Sequence, residues 1–199
     1  MFPLGVTLVT SALQSHNGRA LCLLDSTKRI INIVMTLTLL QNLIDETIQL
    51  SQASVANGGG PFGALVADSE TGAVVATGVN RVVLDCDPTA HGEVVALRAA
   101  AKIKGFNLKG YTLFTSTYPC PMCFTAAYWA KVDAVVYANR PEDVAPVFDD
   151  ATLWQAMHVQ PEQVLPCQHV VSTQYDARQV VLDWADGLAQ GRIQGYNPS

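Results

Sequence analysis

Apolar residues recur at helical spacing along residues 36–56. Leu40, Leu43, Ile44 and Ile48 share one face and Gln41, Asn42, Asp45 and Glu46 fall between them, which predicts an amphipathic first helix. Gly58-Gly59-Gly60-Pro61 stops it and permits close backbone approach. The period then shortens. Residues 63–67 and 73–79 are apolar runs on either side of Glu70-Thr71-Gly72, a strand hairpin that Asn80 closes. Val94, Val95, Leu97 and Ile103 restore the helical period, in a helix that Asp87 or Thr89 can cap, with His91 in its first turn and Gly105 near its end. Residues 111–115 read as a buried third strand. A helix follows from Cys120 through Phe124, Ala127 and Trp129, with Trp129 expected in the core. Residues 133–138 predict a fourth strand, and Val164-Leu165 with His169-Val170-Val171 a fifth. A helical pattern around Leu153, Trp154 and Met157 separates these two strands. That intervening length accommodates a crossover, so strands four and five are expected to run parallel. A last helix covers about 176–190. The whole is an α/β pattern, a sheet sandwiched by helices.

Residues 1–34 lack such periodicity, being short apolar pieces such as Gly5-Val6-Thr7-Leu8-Val9 broken by polar residues. They are expected to be an N-terminal extension, either disordered or lying ahead of a native start at Met35. Their basic residues follow the apolar stretch, the reverse of a secretory signal. Residues 35–199 are expected to form a single domain, in keeping with a chain of 199 residues that is 49% hydrophobic.

Charge and cysteine usage narrow the function. The net charge is −5; Arg19, Lys28 and Arg29 against Asp25 make the first 34 residues +2, which leaves −7 for the rest. Nucleic-acid surfaces need clustered Lys and Arg to neutralise phosphates. The acidic domain therefore points to a small, weakly charged substrate and away from nucleic acid. An odd count of five cysteines argues against a disulfide framework and for a reducing, cytoplasmic setting. No apolar run reaches the roughly 18 residues of a membrane span.

Two segments carry the candidate chemistry: His91-Gly92-Glu93 and Pro119-Cys120-Pro121-Met122-Cys123. An imidazole and two thiolates are ligand types that select zinc, and three protein ligands leave a fourth tetrahedral position open. Glu93 lies two residues from a ligand, where a carboxylate can hold a proton beside a polarised water without coordinating the metal. A closed structural site would need another histidine or cysteine nearby and would give Glu93 no task. Cys86 reads as a buried, inert thiol, and His16, His158 and His169 as surface or satisfied side chains.

The pattern H-x-E…P-C-x-x-C is the signature of zinc deaminases. From Met35 onward the chain resembles the cytidine-deaminase-like superfamily and, within it, the bacterial guanine deaminases. Gly59-Gly60-Pro61-Phe62-Gly63-Ala64, Asp87-Pro88-Thr89-Ala90-His91 and the cysteine segment are similar to the superfamily at large. Tyr128-Trp129-Ala130 and Phe148-Asp149-Asp150 favour the guanine enzymes. The resemblance implies a three-layer αβα cytidine-deaminase-like fold with a central mixed five-stranded sheet. It implies zinc held by His91, Cys120 and Cys123, and Glu93 as proton shuttle. Asn80 would hydrogen-bond the purine, Phe62 would pack on its ring, the Gly92 amide would bond a substrate carbonyl, and Asp150 would position the exocyclic amine. Tyr196 is similar to an aromatic residue that closes the pocket. The activity implied is hydrolysis of a free purine base, guanine to xanthine plus ammonia, in a homodimer. Alternatives are a tRNA adenosine deaminase, a cytosine deaminase, and a non-catalytic zinc-stabilised binding module. Two departures stand out: Gly92, where the family usually has Ala, and Tyr118, where it commonly has Glu.

Overall fold

The computed structural model describes residues 22–145, 147–158 and 160–193. The chain divides into two compact units, Met1–Met35 and Thr36–Ser199, and the account below concerns the second. The expectation for residues 1–34 falls mostly outside the described residues, as do His16 and Tyr196.

In chain order the elements are α1 (Cys22–Ala56), β1 (Gly63–Asp68), β2 (Val74–Val79), α2 (Val82–Asp85), α3 (Gly92–Lys104), β3 (Tyr111–Thr117), α4 (Pro121–Ala130), β4 (Ala134–Asn139), α5 (Pro141–Val144), α6 (Ala151–Met157), a 3₁₀ turn (Pro161–Gln163), β5 (Cys167–His169) and α7 (Ala177–Ala189). The first helix begins well before the predicted residue 36, because no glycine or proline interrupts the chain between Cys22 and Ala56.

The sheet order is β2-β1-β3-β4-β5. β1 pairs antiparallel with β2 and with β3, whereas β3–β4 and β4–β5 are parallel. This is the mixed five-stranded sheet expected, with strands four and five parallel. β5 is shorter than predicted, and local chemistry explains it. Leu165 donates its N–H back to the Pro161 carbonyl at 3.0 Å, and Pro166 has no N–H to give a ladder. Pairing therefore begins with the Pro166 carbonyl, which accepts from Val135 at 2.8 Å.

Both faces of the sheet are covered. Ala64 and Val66 of β1, Leu113 of β3 and Val135 of β4 point to one side, where they meet Ala96, Leu97 and Ala100 of α3 and Phe124 and Ala127 of α4. Leu65, Ala67, Phe114 and Val136 alternate to the other side, against Leu43, Ile44 and Ile48 of α1 and Val180 of α7. The two-residue period of the strands thus feeds two cores and gives three layers. Ile44 and Ile48 are fully buried, each contributing about 1.5–3 kcal/mol relative to exposure. Polar residues of α1 fix its other flank. The Gln41 amide donates to the Val171 carbonyl at 2.7 Å and accepts from the Thr173 N–H at 3.1 Å, and Asp45 accepts from the Ser172 hydroxyl at 2.5 Å.

Two predicted core residues lie elsewhere. Trp129 is 73% exposed, because α4 turns Cys123, Phe124 and Ala127 inward and position 129 falls on the opposite side. Cys86 is also exposed, in a left-handed backbone conformation (φ 50°) that ends α2.

Candidate metal centre and active site

The three candidate ligands come from two helix starts. His91 is the residue before α3 rather than within its first turn, with extended backbone angles (φ −69°, ψ 152°). Asp87 instead shapes the preceding turn, its carboxylate accepting from the Thr89 N–H and hydroxyl at 2.8 and 2.7 Å. Cys120 occupies the same position before α4 (φ −64°, ψ 166°), followed by Pro121 at the first helical residue, where the missing N–H costs nothing. Neither His91 nor Cys120 caps its own helix with its side chain. Imidazole and sulfur are therefore available to a ligand, each at the positive end of a helix.

The donor atoms converge. His91 Nδ1 lies 3.6 Å from Cys120 Sγ and 3.5 Å from Cys123 Sγ, and the three donor atoms all fall within 4.8 Å of one another. A tetrahedral zinc with Zn–S of about 2.3 Å and Zn–N of about 2.0–2.1 Å requires an N···S edge of about 3.5 Å. The donor set and its spacing both fit that ion, and these residues are positioned to bind it.

Without a cation between them the three groups share protons unevenly. Cys120 is pulled down to about 4 by the hydrogen bond from Cys123, helped by His91 and opposed by burial. Cys123 is pushed well above the usual thiol range by the Cys120 sulfur and by burial. Burial lowers His91, but the hydrogen bond and charge of Cys120 outweigh it and the net direction is up. The lowered Cys120 thiol and the raised His91 imidazole each favour the other's charged form, whereas a divalent cation would favour the deprotonated form of all three.

Glu93 is the second residue of α3, in its first turn, and is 6% exposed. Burial, reinforced by the negative charge of Cys120, pushes its carboxyl up to about 7. A carboxyl poised there can both take and return a proton near neutrality.

The other predicted residues form two groups. Phe62, Asn80 and Gly92 meet at one corner. The Asn80 N–H donates to the Phe62 carbonyl at 3.0 Å, and the Asn80 Oδ1 accepts from the Val82 N–H at 3.3 Å. A Cβ built on Gly92 would stand 3.2 Å from the Phe62 carbonyl oxygen, and one on Gly60 3.0 Å from Asn80 Cγ. Asn80 is buried, with its amide oriented by the start of α2. Asp149 and Asp150 divide the labour at the start of α6. Asp149 accepts from the Ala151 N–H at 2.9 Å, while the Asp150 side chain makes no capping bond. The Asp150 carboxyl opens to solvent, but partial burial and the Cys120 charge raise it and the His91 charge lowers it. It thus lies within the electrostatic field of the metal-ligand set.

Sequence reasoning named Phe62, Phe148, Tyr118 and Trp154 but neither the ring contacts that join these groups nor Trp184. Phe148 meets the Phe62 ring edge-on at 4.8 Å and stacks on Trp184 at 5.2 Å. Tyr118 lies edge-on to Tyr137 at 4.9 Å, and Trp154 edge-on to Phe124 at 5.6 Å. The apolar stripe of α7, which buries Val180, Val181 and Trp184, was the available signal for Trp184.

Zinc deaminases combine this donor set with a glutamate that does not coordinate the metal, and fold and site together put the chain in that class. It belongs to the cytidine and deoxycytidylate deaminase family, whose zinc-binding region matches residues 37–139. Among its relatives is the guanine deaminase of Bacillus subtilis (strain 168), 42% identical over 120 residues that cover 59% of this chain and 76% of that protein. The tRNA-specific adenosine deaminase of Buchnera aphidicola subsp. Baizongia pistaciae is 35% identical over 94 residues, 47% of this chain and 57% of that one. The solved guanine deaminase of Nitrosomonas europaea superposes with a TM-score of 0.62 at 29% identity, covering 73% of this chain and 84% of that structure. Among the described residues no helix is long and apolar enough to cross a membrane.

Proposed function

We propose that the chain is a guanine deaminase, which converts guanine and water to xanthine and ammonia. The observation that carries this reading is Asp150, a carboxylate in the Phe148-Asp149-Asp150 segment that lies in the field of His91 and Cys120. The likeness to two guanine deaminases and the acidic balance of the domain support it.

Zinc held by His91, Cys120 and Cys123 would supply the Lewis acid that makes water nucleophilic at neutral pH. The chain's own groups do the rest. Glu93 takes a proton from the attacking water and delivers it to the ring nitrogen next to C2, so the carbon becomes more electrophilic as the C2–O bond forms. It then carries a second proton to the amine, the C2–N bond breaks, and ammonia leaves. Asp150 accepts hydrogen bonds from the amine and holds it for protonation. Asn80 bonds the purine edge, Phe62 packs on the ring, and the Gly92 N–H faces a substrate carbonyl.

Ammonia release from guanine, adenine, cytosine, cytidine and tRNA tests the reading. Turnover of guanine with the rest near background is expected, and release from tRNA or cytosine but not guanine overturns it. A cytoplasmic homodimer completes the proposal, with light scattering on the eluted protein deciding the oligomeric state.

A further inference from the structure

Asp150 opens a helix that has little to hold it. No residue from Ala151 to Met157 is buried, and a helix of two turns is not stable by itself. Aromatic contacts on both sides of Asp150 fix it instead. Two residues before it, Phe148 donates its N–H to the Val144 carbonyl at 2.9 Å and wedges its ring between Phe62 and Trp184, the latter 4% exposed in α7. Four residues after it, Trp154 donates its N–H to the Asp150 carbonyl at 3.0 Å. The Trp154 ring meets Phe124 at 5.6 Å and Tyr118 at 6.2 Å. Phe124 directly follows Cys123, and Tyr118 precedes Cys120 by two residues. One anchor therefore ties Asp150 to the Phe62 wall of the site, and the other ties it to the segment that carries both cysteines.

We propose that Phe148 and Trp154 are positioning residues that act through Asp150, clamping the start of α6 so that its carboxylate keeps one distance from the metal ligands and one from the purine. Tyr118 belongs to this clamp through its contact with the Trp154 ring. The proposal rests on the guanine-deaminase reading, and its test separates the two.

The variants Phe148→Leu and Trp154→Leu are made alone and on an Asp150→Asn background, in the full chain loaded with zinc. Each single substitution is expected to lower kcat on guanine by about ten- to a hundredfold, the scale of a displacement near 1 Å. Bound zinc should be unchanged, and Phe148→Tyr and Trp154→Phe should recover most of the loss. On the Asp150→Asn background the same substitutions should cost little more, since they act through a carboxylate already removed. Amide hydrogen exchange should quicken across residues 148–154 and stay unchanged in α3. Full additivity with Asp150→Asn overturns the proposal, and so does wild-type kcat in both Leu variants. Failure of the wild-type chain to release ammonia from guanine overturns the functional reading instead. The exchange measurement still decides the clamp in that case: unchanged protection of 148–154 in both Leu variants removes it, and selective loss supports it.

Discussion

Gly78 of β2 lies directly against the Gly92 carbonyl at the start of α3: a Cβ on Gly78 would stand 2.3 Å from that oxygen and 2.4 Å from the Ala96 N. This contact sets how closely the helix that presents His91 and Glu93 approaches the sheet. Gly78→Ala must push the two apart, and overpacking of this kind costs about 1–3 kcal/mol, with a backbone clash at the upper end. The expected outcome is a large drop in thermal midpoint together with weakened zinc binding, read by calorimetry and metal analysis. Gly92→Ala should behave differently, since its Cβ would meet the Phe62 carbonyl at 3.2 Å, a contact that yields with a small shift. Gain in helix propensity offsets that strain, so stability should stay within about 1 kcal/mol of the parent.

Glu93→Gln keeps the shape of the buried side chain and removes its proton traffic. General acid–base catalysis by one group contributes about 10²–10⁴-fold, and kcat should fall by that order while bound zinc and thermal midpoint are retained. Turnover within a few-fold of the parent would assign the proton shuttle to another group.

The raised Glu93 carboxyl also makes a pH prediction for the metal-free protein. Its folded value is about 7 against an ordinary 4.5, so between these limits the folded chain holds a proton that the unfolded chain has released. Stability from this group is present below pH 4.5 and lost as pH rises toward 7. The difference between parent and Glu93→Gln reports this carboxyl together with its coupling to His91, Cys120 and Cys123. Relative to the variant, the parent should lose stability across about pH 4.5–7 and then run parallel to it, as measured by denaturant unfolding at a series of pH values. A flat difference would place the carboxyl in water.

Much of this architecture was legible because the chemistry is local. The hairpin around Glu70-Thr71-Gly72 and the parallel β4–β5 pair implied by a long crossover follow from spacing along the chain, and the His91, Cys120 and Cys123 set from ligand type and the zinc-deaminase signature. Trp129 was misplaced because a helical period names a face without saying which face the fold buries. His91 fell one position outside its helix because Asp87 closes the turn ahead of it. The Phe62–Phe148–Trp184 contacts were invisible for a different reason: they join residues 62, 148 and 184, and aromatic contacts at such separations leave no periodic trace. Asp150 stood out only through resemblance, since its neighbour Asp149 makes the capping bond that a sequence would assign equally to either.

Metal removal provides the last prediction. His91, Cys120 and Cys123 lie at the starts of α3 and α4, which pack against each other, so an ion held by all three would tie the two helices together. Zinc binds the folded arrangement and not the unfolded chain to first order, so free zinc at a hundredfold excess over its dissociation constant adds about 2.7 kcal/mol. Stripping with a chelator should therefore lower the thermal midpoint by several degrees and abolish turnover, with both restored by zinc. Cys123→Ser should reproduce the stripped state while zinc is still present, because a hydroxyl in that buried position is a poor substitute for thiolate toward this ion. A Cys123→Ser protein that binds zinc with parental affinity and melts at the parental temperature would mean that the sulfur lies outside the coordination sphere, and the metal centre would have to be rebuilt on other donors.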